Sequence, residues 1–590
     1  MAATESGNVS LALLDDRPEA PRGFSVRQRL RKSLERLLAV ADELFARLQS
    51  HFGGWGTLRA VCVVILPLAV SPWLLTELRK EVQSPLFRDA AQCQYSAWCL
   101  LHGVRLYKDV GAPDGPLIHF LHALMQLFAG SGDRGCRVAD LVIQIGVSGV
   151  MGAVLAPRSS ETRLGGALSR IAWGALGSAL WLTWYFAQWW GETVQRDAYF
   201  ALLGYCGLVL VYASADFSDR GAKIAAAAGG ALCMVQVFGR HSGITYPASA
   251  LLAIWCVDDP ARERRWLRLR AALWGAGGAV VGIFLLLAIF GSIRGLWFWY
   301  FEFPFTFYRF LAKQNAWSLF NGAYAYAGEI AVLVLVGVVV AVAVRAVPAR
   351  AISFAFAPML MLIGACIEGK GWSNHVQQTT AAVVPMQLLV LSEIWGRRAS
   401  PVPWNLVRSV AAVLVLVFIA NKTNEAIQAS SYMHLAMPQV VDSDIVEAKR
   451  VGDFLKANTK PTDTVFLYGH ESHVLLNAER RPAVPFYVNM LLNIKVLYER
   501  APASPGEGPN AKQSQAITKL EARINSDVCH RLTTSPPGAM VFLDGSLGLF
   551  LNARAEVYEL CPLVEGMLKA KYDETPIPGI ADYHVYLRKN

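Results

Sequence analysis

Between residues 60 and 420 the chain passes through a succession of long apolar stretches, each nearly free of charge, and such stretches have few stable homes in water. A helix needs roughly 20 apolar residues to cross the hydrocarbon core of a bilayer. About eleven candidate stretches can be marked, at residues 60–75, 138–155, 171–190, 198–212, 224–238, 244–257, 271–290, 324–344, 352–367, 380–391 and 406–420. Several fall short of a full span, so their ends must extend into the flanking residues. Composition agrees: of 590 residues, 54% are hydrophobic and 17% charged, against roughly 25% charged in an ordinary soluble domain. The expected fold class is therefore a polytopic α-helical membrane protein.

The loops set its orientation. Threaded from a cytoplasmic N-terminus, every second loop is basic: Arg158, Arg163 and Arg170; Arg220 and Lys223; residues 258–270 (DDPARERRWLRLR); Arg345 and Arg350; Arg397, Arg398 and Arg408. That alternation obeys the positive-inside rule and accounts for the net charge of +10 without nucleic acid. Residues 116–130 (PLIHFLHALMQLFAG) would invert all later loops if they spanned, so they read as a re-entrant or surface helix in the first outer loop. Residues 1–58 form a basic cytoplasmic segment with no cleavable signal peptide, so the first span acts as the signal. Within it, residues 26–52 place Leu30, Leu34, Leu37, Leu38, Leu44, Phe45 and Leu48 at helical spacing among arginines, as in a helix lying on anionic lipid or packed on the protein.

Residues 59–421 form the membrane domain, and from 422 to 590 the composition turns polar. Helical spacing at 445–457 and 513–524, with strand-like runs at 464–469, 539–545 and 583–588, predicts a small α/β domain. The topology puts it outside, which is the periplasmic side where the membrane is a bacterial inner one. The ten cysteines show no CxxC pair, and Cys529 and Cys561 could pair in an oxidising compartment.

Ionisable residues beside outer span ends are the informative ones, because a charge there is costly unless paired or functional. Asp89 begins a helix-like stretch; it could be a general base, bind a metal, or cap the helix beside Arg88. Glu192 and Asp197 sit in the second acidic loop, where Arg196 is adjacent to Asp197 and a plain ion pair with another loop is the alternative to a functional role. Arg240 and His241 occupy one outer turn, and Glu368, Lys370 and His375 another. Cations on that side run against the topological bias and suit an anionic headgroup or phosphate. The loop 291–314, rich in Trp, Phe and Tyr with Arg294, Arg309 and Lys313, reads as an aromatic belt or as a groove for a lipid tail and its phosphate. The GHESH run at residues 469–473, with His470, Glu471 and His473, reads as a polar loop after a strand, in preference to a metal site.

Three stretches together resemble the GT-C superfamily of integral membrane glycosyltransferases, in the bacterial branch similar to protein O-mannosyltransferases and lipid A aminoarabinose transferases. They are RDAAQCQYSAWCLLHGVRLYKD with GAPDGPLIHFLHALMQLFAG, GETVQRDAYFALL, and GKGWSNHVQQTTAAVVPMQLLVL. The resemblance implies inverting transfer of a sugar from a polyprenyl-phosphate donor to a lipid, glycan or protein acceptor at the outer face. It makes Asp89 the base that deprotonates the acceptor. Asp197, or Glu192, would position substrate or a divalent ion such as Mg or Mn, with Asp89 and Asp197 as its ligands. Arg240, His241, Lys370 and His375 would receive the donor phosphate. The chain departs from the family where Arg88 precedes Asp89 instead of a second acid, and where Asp114 and Gly115 stand before Pro116. A transporter would show internal repeats and broken helices, and no convincing repeat is present. A non-catalytic envelope-assembly protein would tolerate loss of Asp89, and a polymerase or ligase would use diphosphate-linked donors.

Overall fold

The computed structural model describes residues 55–589, apart from position 112 and residues 158–162, 189–192, 257–261, 308–315, 344–346, 369–376, 397–437, 488–491, 494–510 and 547–550. Each predicted apolar run up to 391 falls on helix: α1 (Trp55–Gln83), α4 (Asp133–Leu155), α5 (Arg163–Phe186), α6 (Arg196–Ala213), α7 (Asp219–Val235), α8 (Thr245–Trp255), α9 (Arg262–Phe290), α10 (Ala316–Ala343), α11 (Ile352–Ile367) and α12 (Val383–Gly396). Among the described residues, five helical stretches are long and apolar enough to cross a membrane by length and composition: Asp133–Leu155, Arg196–Asp216, Asp219–Phe238, Arg264–Phe290 and Ala349–Cys366. The run 406–420 and the amphipathic stretch 26–52 lie outside the described residues.

Small residues let these helices approach closely, since lipid supplies no hydrophobic drive between them. A Cβ built on Gly152 of α4 would meet the Trp173 carbonyl of α5 at 2.0 Å, so only glycine fits that crossing. The apolar seam continues through Trp181, Tyr205, Tyr246 and Phe354 as one buried cluster.

Two short helices precede α4. The first, α2 (Arg88–Leu101), is buried along nearly its whole length from Ala90 to Leu100 and ends at Gly103, whose φ of +76° suits the residue without a Cβ. The second, α3 (Pro116–Ala129), starts on a proline and stops at Gly130. Its 14 residues extend only about 21 Å at 1.5 Å each, too short to span. It lies against α2, with Gln126 donating to the Gln94 carbonyl at 2.6 Å and His122 bonded to Gln94 at 2.9 Å, while Phe128 is 84% exposed.

The C-terminal part begins with α13 (Pro438–Asn458) and carries α14 (His473–Ala478), α15 (Ala511–Thr534), α16 (Ala553–Leu560) and α17 (Leu563–Lys571) around a five-stranded sheet. Its strands are β1 (Thr464–Tyr468), β2 (Arg481–Pro482), β3 (Ala539–Leu543), β4 (Tyr572–Glu574) and β5 (Tyr583–Arg588), in the order β2-β1-β3-β5-β4. The first three are parallel, with Val465 opposite Ala539; β5 runs antiparallel to both β3 and β4. A run such as AMVFL, buried on both faces, is what a central strand requires. Cys529 and Cys561 are joined by a disulfide that ties α15 to the end of α16.

This unit shares a continuous apolar core with α2, the 104–110 loop and the aromatic segment around Trp299, Tyr300 and Phe303. Polar contacts register the join: Tyr95 donates to the Arg480 carbonyl at 2.9 Å, Ser96 and Tyr487 share a hydroxyl bond at 2.8 Å, and Gly111 N–H reaches the Pro485 carbonyl at 3.1 Å.

Candidate functional site

The second acidic loop is pinned before it reaches α6. Val194 takes a left-handed φ of +60°, costly for a β-branched residue, and its N–H donates to the Tyr185 hydroxyl at 2.7 Å. Tyr185 donates in turn to buried Asp140 at 2.7 Å. Next to it, Arg137, ion-paired with Glu81, donates to the Thr193 hydroxyl at 2.7 Å. The loop therefore delivers Arg196 and Asp197 to the start of α6 in a fixed register.

There Asp197, fully buried, accepts from the Arg240 guanidinium and from Gln378 at 3.2 Å. Arg240 also donates from Nε to Glu368 at 2.6 Å, and the second oxygen of Glu368 accepts the Ser242 N–H at 2.8 Å. Arg196 pairs with Asp114 and approaches Asp197 at 3.5 Å. Five charges from four separate loops thus alternate in sign: Asp114, Arg196, Asp197, Arg240, Glu368. Burial works against the Arg240 charge, but Asp197 and then Glu368 more than offset it, so its ionised form is held. Its Nη2 has no hydrogen-bond partner among the described residues.

Arg240 and Glu368 line a small cleft of about 30 Å³ with Asp114, Arg196, His241 and Phe305. His241 is stacked on Tyr300 with ring centroids 4.2 Å apart, and Phe301 and Phe305 close around it edge-on. Gly115 sets the first outer loop against the Arg240 turn: a Cβ there would lie 2.0 Å from the Phe238 carbonyl.

Asp89 stands in the first turn of α2. The capping alternative does not hold, because the N-cap is Phe87 and no side chain caps the helix. Its carboxylate is half exposed, 4.0 Å from Nε2 of His470, the buried histidine of the GHESH loop. Burial pushes His470 below its ordinary value, with Asp89 and Glu471 pulling the other way. One helical turn beyond Asp89, the buried Cys93 thiol is pushed up to about 12, by burial first; Arg196 opposes that shift while Asp89 and Asp197 add to it. The first turns of α2 and α6 share one buried apolar cluster, in which Ala90, Ala91 and Cys93 join Val194, Tyr199 and Phe200.

The structure thus brings Asp197, Arg240 and His241 together and sets Asp89 a short way along α2. Glu192, Lys370 and His375 lie outside the described residues. Asp114, Arg196, Glu368 and Gln378 join the network without having been singled out as site residues. Their one signal in the sequence was placement beside outer span ends.

A divalent ion fits the described residues poorly. Asp197 is already held by a guanidinium and an amide, and no three His, Cys, Asp or Glu side chains are grouped to hold a metal among the described residues.

No family model matches the chain, and no curated protein matches it. Among solved structures, it is similar to the crystal structure of ArnT from Cupriavidus metallidurans bound to undecaprenyl phosphate. The two are 13% identical, with a TM-score of 0.50, over 89% of this chain and 98% of that one. The likeness shows that this chain shares the fold of that protein.

Proposed function

We propose that this protein is an inverting glycosyltransferase that moves a sugar from a polyprenyl-phosphate donor to an acceptor hydroxyl at the outer face of the cytoplasmic membrane. The observation that carries this reading is the convergence of charged residues from loops far apart in the chain at the start of α6, which shares a buried cluster with the start of α2, where Asp89 is a half-exposed carboxylate. The likeness to a protein solved with undecaprenyl phosphate supports the donor class. The disulfide supports an oxidising compartment for the C-terminal unit.

In this mechanism Asp89 takes the proton of the acceptor hydroxyl as its oxygen attacks the anomeric carbon. The bond from that carbon to the phosphate oxygen breaks on the opposite face, and polyprenyl phosphate departs with the electron pair. Arg240 holds Glu368 through Nε and Asp197 through Nη1, and Nη2, buried and without a hydrogen-bond partner among the described residues, is the donor it keeps for the phosphate oxygens once the cleft opens to the donor. The five described charges hold one more acid than base, so this reading also draws on Lys370 and His375, which follow Glu368 in the chain. No step is routed through a metal.

The test is transfer by the purified full chain from polyprenyl-phosphate sugars to a membrane extract. Asp89→Asn should lower kcat by about 10²- to 10⁴-fold, the usual worth of a general base, with donor KM nearly unchanged. Wild-type turnover by that variant would remove Asp89 from the mechanism.

A further inference from the structure

The tripeptide Arg-Asp-Ala opens two helices in this protein, at Arg88-Asp89-Ala90 of α2 and at Arg196-Asp197-Ala198 of α6. The same local sequence has two outcomes. On α6 the arginine turns back to its neighbour, Arg196 Nε lying 3.5 Å from Asp197, and Asp197 is buried and further neutralised by Arg240. On α2 the arginine is drawn the other way. Arg88 pairs through Nε with buried Glu471 of the GHESH loop, and through Nη2 with Asp444 of α13 at 3.0 Å. Among the described residues, Asp89 is left with no Arg or Lys within ion-pair distance, and Nε2 of His470 lies 4.0 Å from its carboxylate.

We propose that the C-terminal unit is a working part of the active site: Glu471 and Asp444 hold Arg88 off Asp89, and His470 faces the carboxylate thereby left free. The inference rests on the reading of Asp89 as the general base. A carboxylate locked to an adjacent guanidinium is a poor proton acceptor, since accepting the proton dissolves the ion pair. An uncommitted one, half in solvent, is not so penalised. Glu471 is suited to holding Arg88 because it is buried and lies on the short connection between β1 and α14, and α14 packs on α2. His470 is fixed by its backbone N–H, which donates to the Ser546 hydroxyl at 3.0 Å, and its Nδ1 has no hydrogen-bond partner among the described residues. A neutral ring with its proton on Nε2 leaves only an acceptor unsatisfied at Nδ1 and directs the N–H toward Asp89. The 4.0 Å between them is beyond a hydrogen bond, by about 1 Å, a gap the half-exposed Asp89 side chain can close. Glu471, Asp444 and His470 are positioning residues, acting through Asp89.

The experiment compares the full chain, its Glu471→Gln variant and the Arg88→Gln/Glu471→Gln double variant in the transfer assay, with Asp89→Asn alongside and thermal melting of each. Glu471→Gln should lower kcat by about 10- to 100-fold, the scale of a misplaced catalytic group, with donor KM little changed. The double variant, which removes the released guanidinium as well, should recover most of the rate; His470→Leu should lose rate and His470→Gln, which restores an N–H donor, should regain it. If Glu471 only glues the two parts together, the double variant will be as slow as the single one, and that result overturns the inference. So does wild-type kcat in Glu471→Gln. Wild-type activity in Asp89→Asn is a separate outcome, and it removes the base itself.

Discussion

Arg240 shows how little room single residues have here. It satisfies two buried carboxylates at once, Asp197 and Glu368, and the three form a unit in which each charge is tolerable only because of the others. Replacing Arg240 with Leu leaves two buried acids uncompensated, and the expected cost is about 3–5 kcal/mol. In a melting experiment the variant should unfold well below wild type, and adding Asp197→Asn and Glu368→Gln should restore much of the loss. Melting unchanged by Arg240→Leu would show that the unit is not under this constraint. Sequence marked Arg240 and Asp197 as unusual because charges at outer span ends are expensive. It could not show that they pair, since residues 43 positions apart meet only because α6 and α7 fold back on one another. At Asp89 the sequence places Arg88 next to the carboxylate, and the structure sends that arginine to the C-terminal unit.

Among the elements, those with a strong period were legible and those set by neighbours were not. The membrane helices follow from runs of apolar residues, and β1, β3 and β5 from short buried runs. Strands β2 and β4, of two and three residues at the sheet edges, carry too little pattern to be seen. The 116–130 run was predicted to stay out of the spanning set, and its helix is indeed short and docked on α2. What docks it is partly a glycine. Gly115 allows the loop to touch the Phe238 carbonyl, so Gly115→Ala forces the two apart. The expected penalty is about 1–3 kcal/mol of overpacking, with slower transfer because Asp114 and Arg196 move relative to Arg240. A Gly115→Ala protein with unaltered melting and turnover would mean that this contact does not hold the site.

At the scale of the whole molecule, the membrane helices and the C-terminal unit meet over a common core, and the candidate site lies close to that junction. Alternating basic loops carry the topology expected from the sequence, because lipid insertion responds to loop charge directly. The junction itself was not legible, because its partners are separated by hundreds of residues, as Arg88 and Asp444 are. The account stands on one geometric claim, that the charged loops and the C-terminal unit gather on a single side of the bilayer. Membrane-impermeant thiol labelling in sealed, oriented vesicles tests it, with single cysteines introduced in turn at positions 89, 370, 444 and 223. Positions 89, 370 and 444 should label from one face and position 223 from the other; labelling of 89 and 370 from opposite faces would contradict the account.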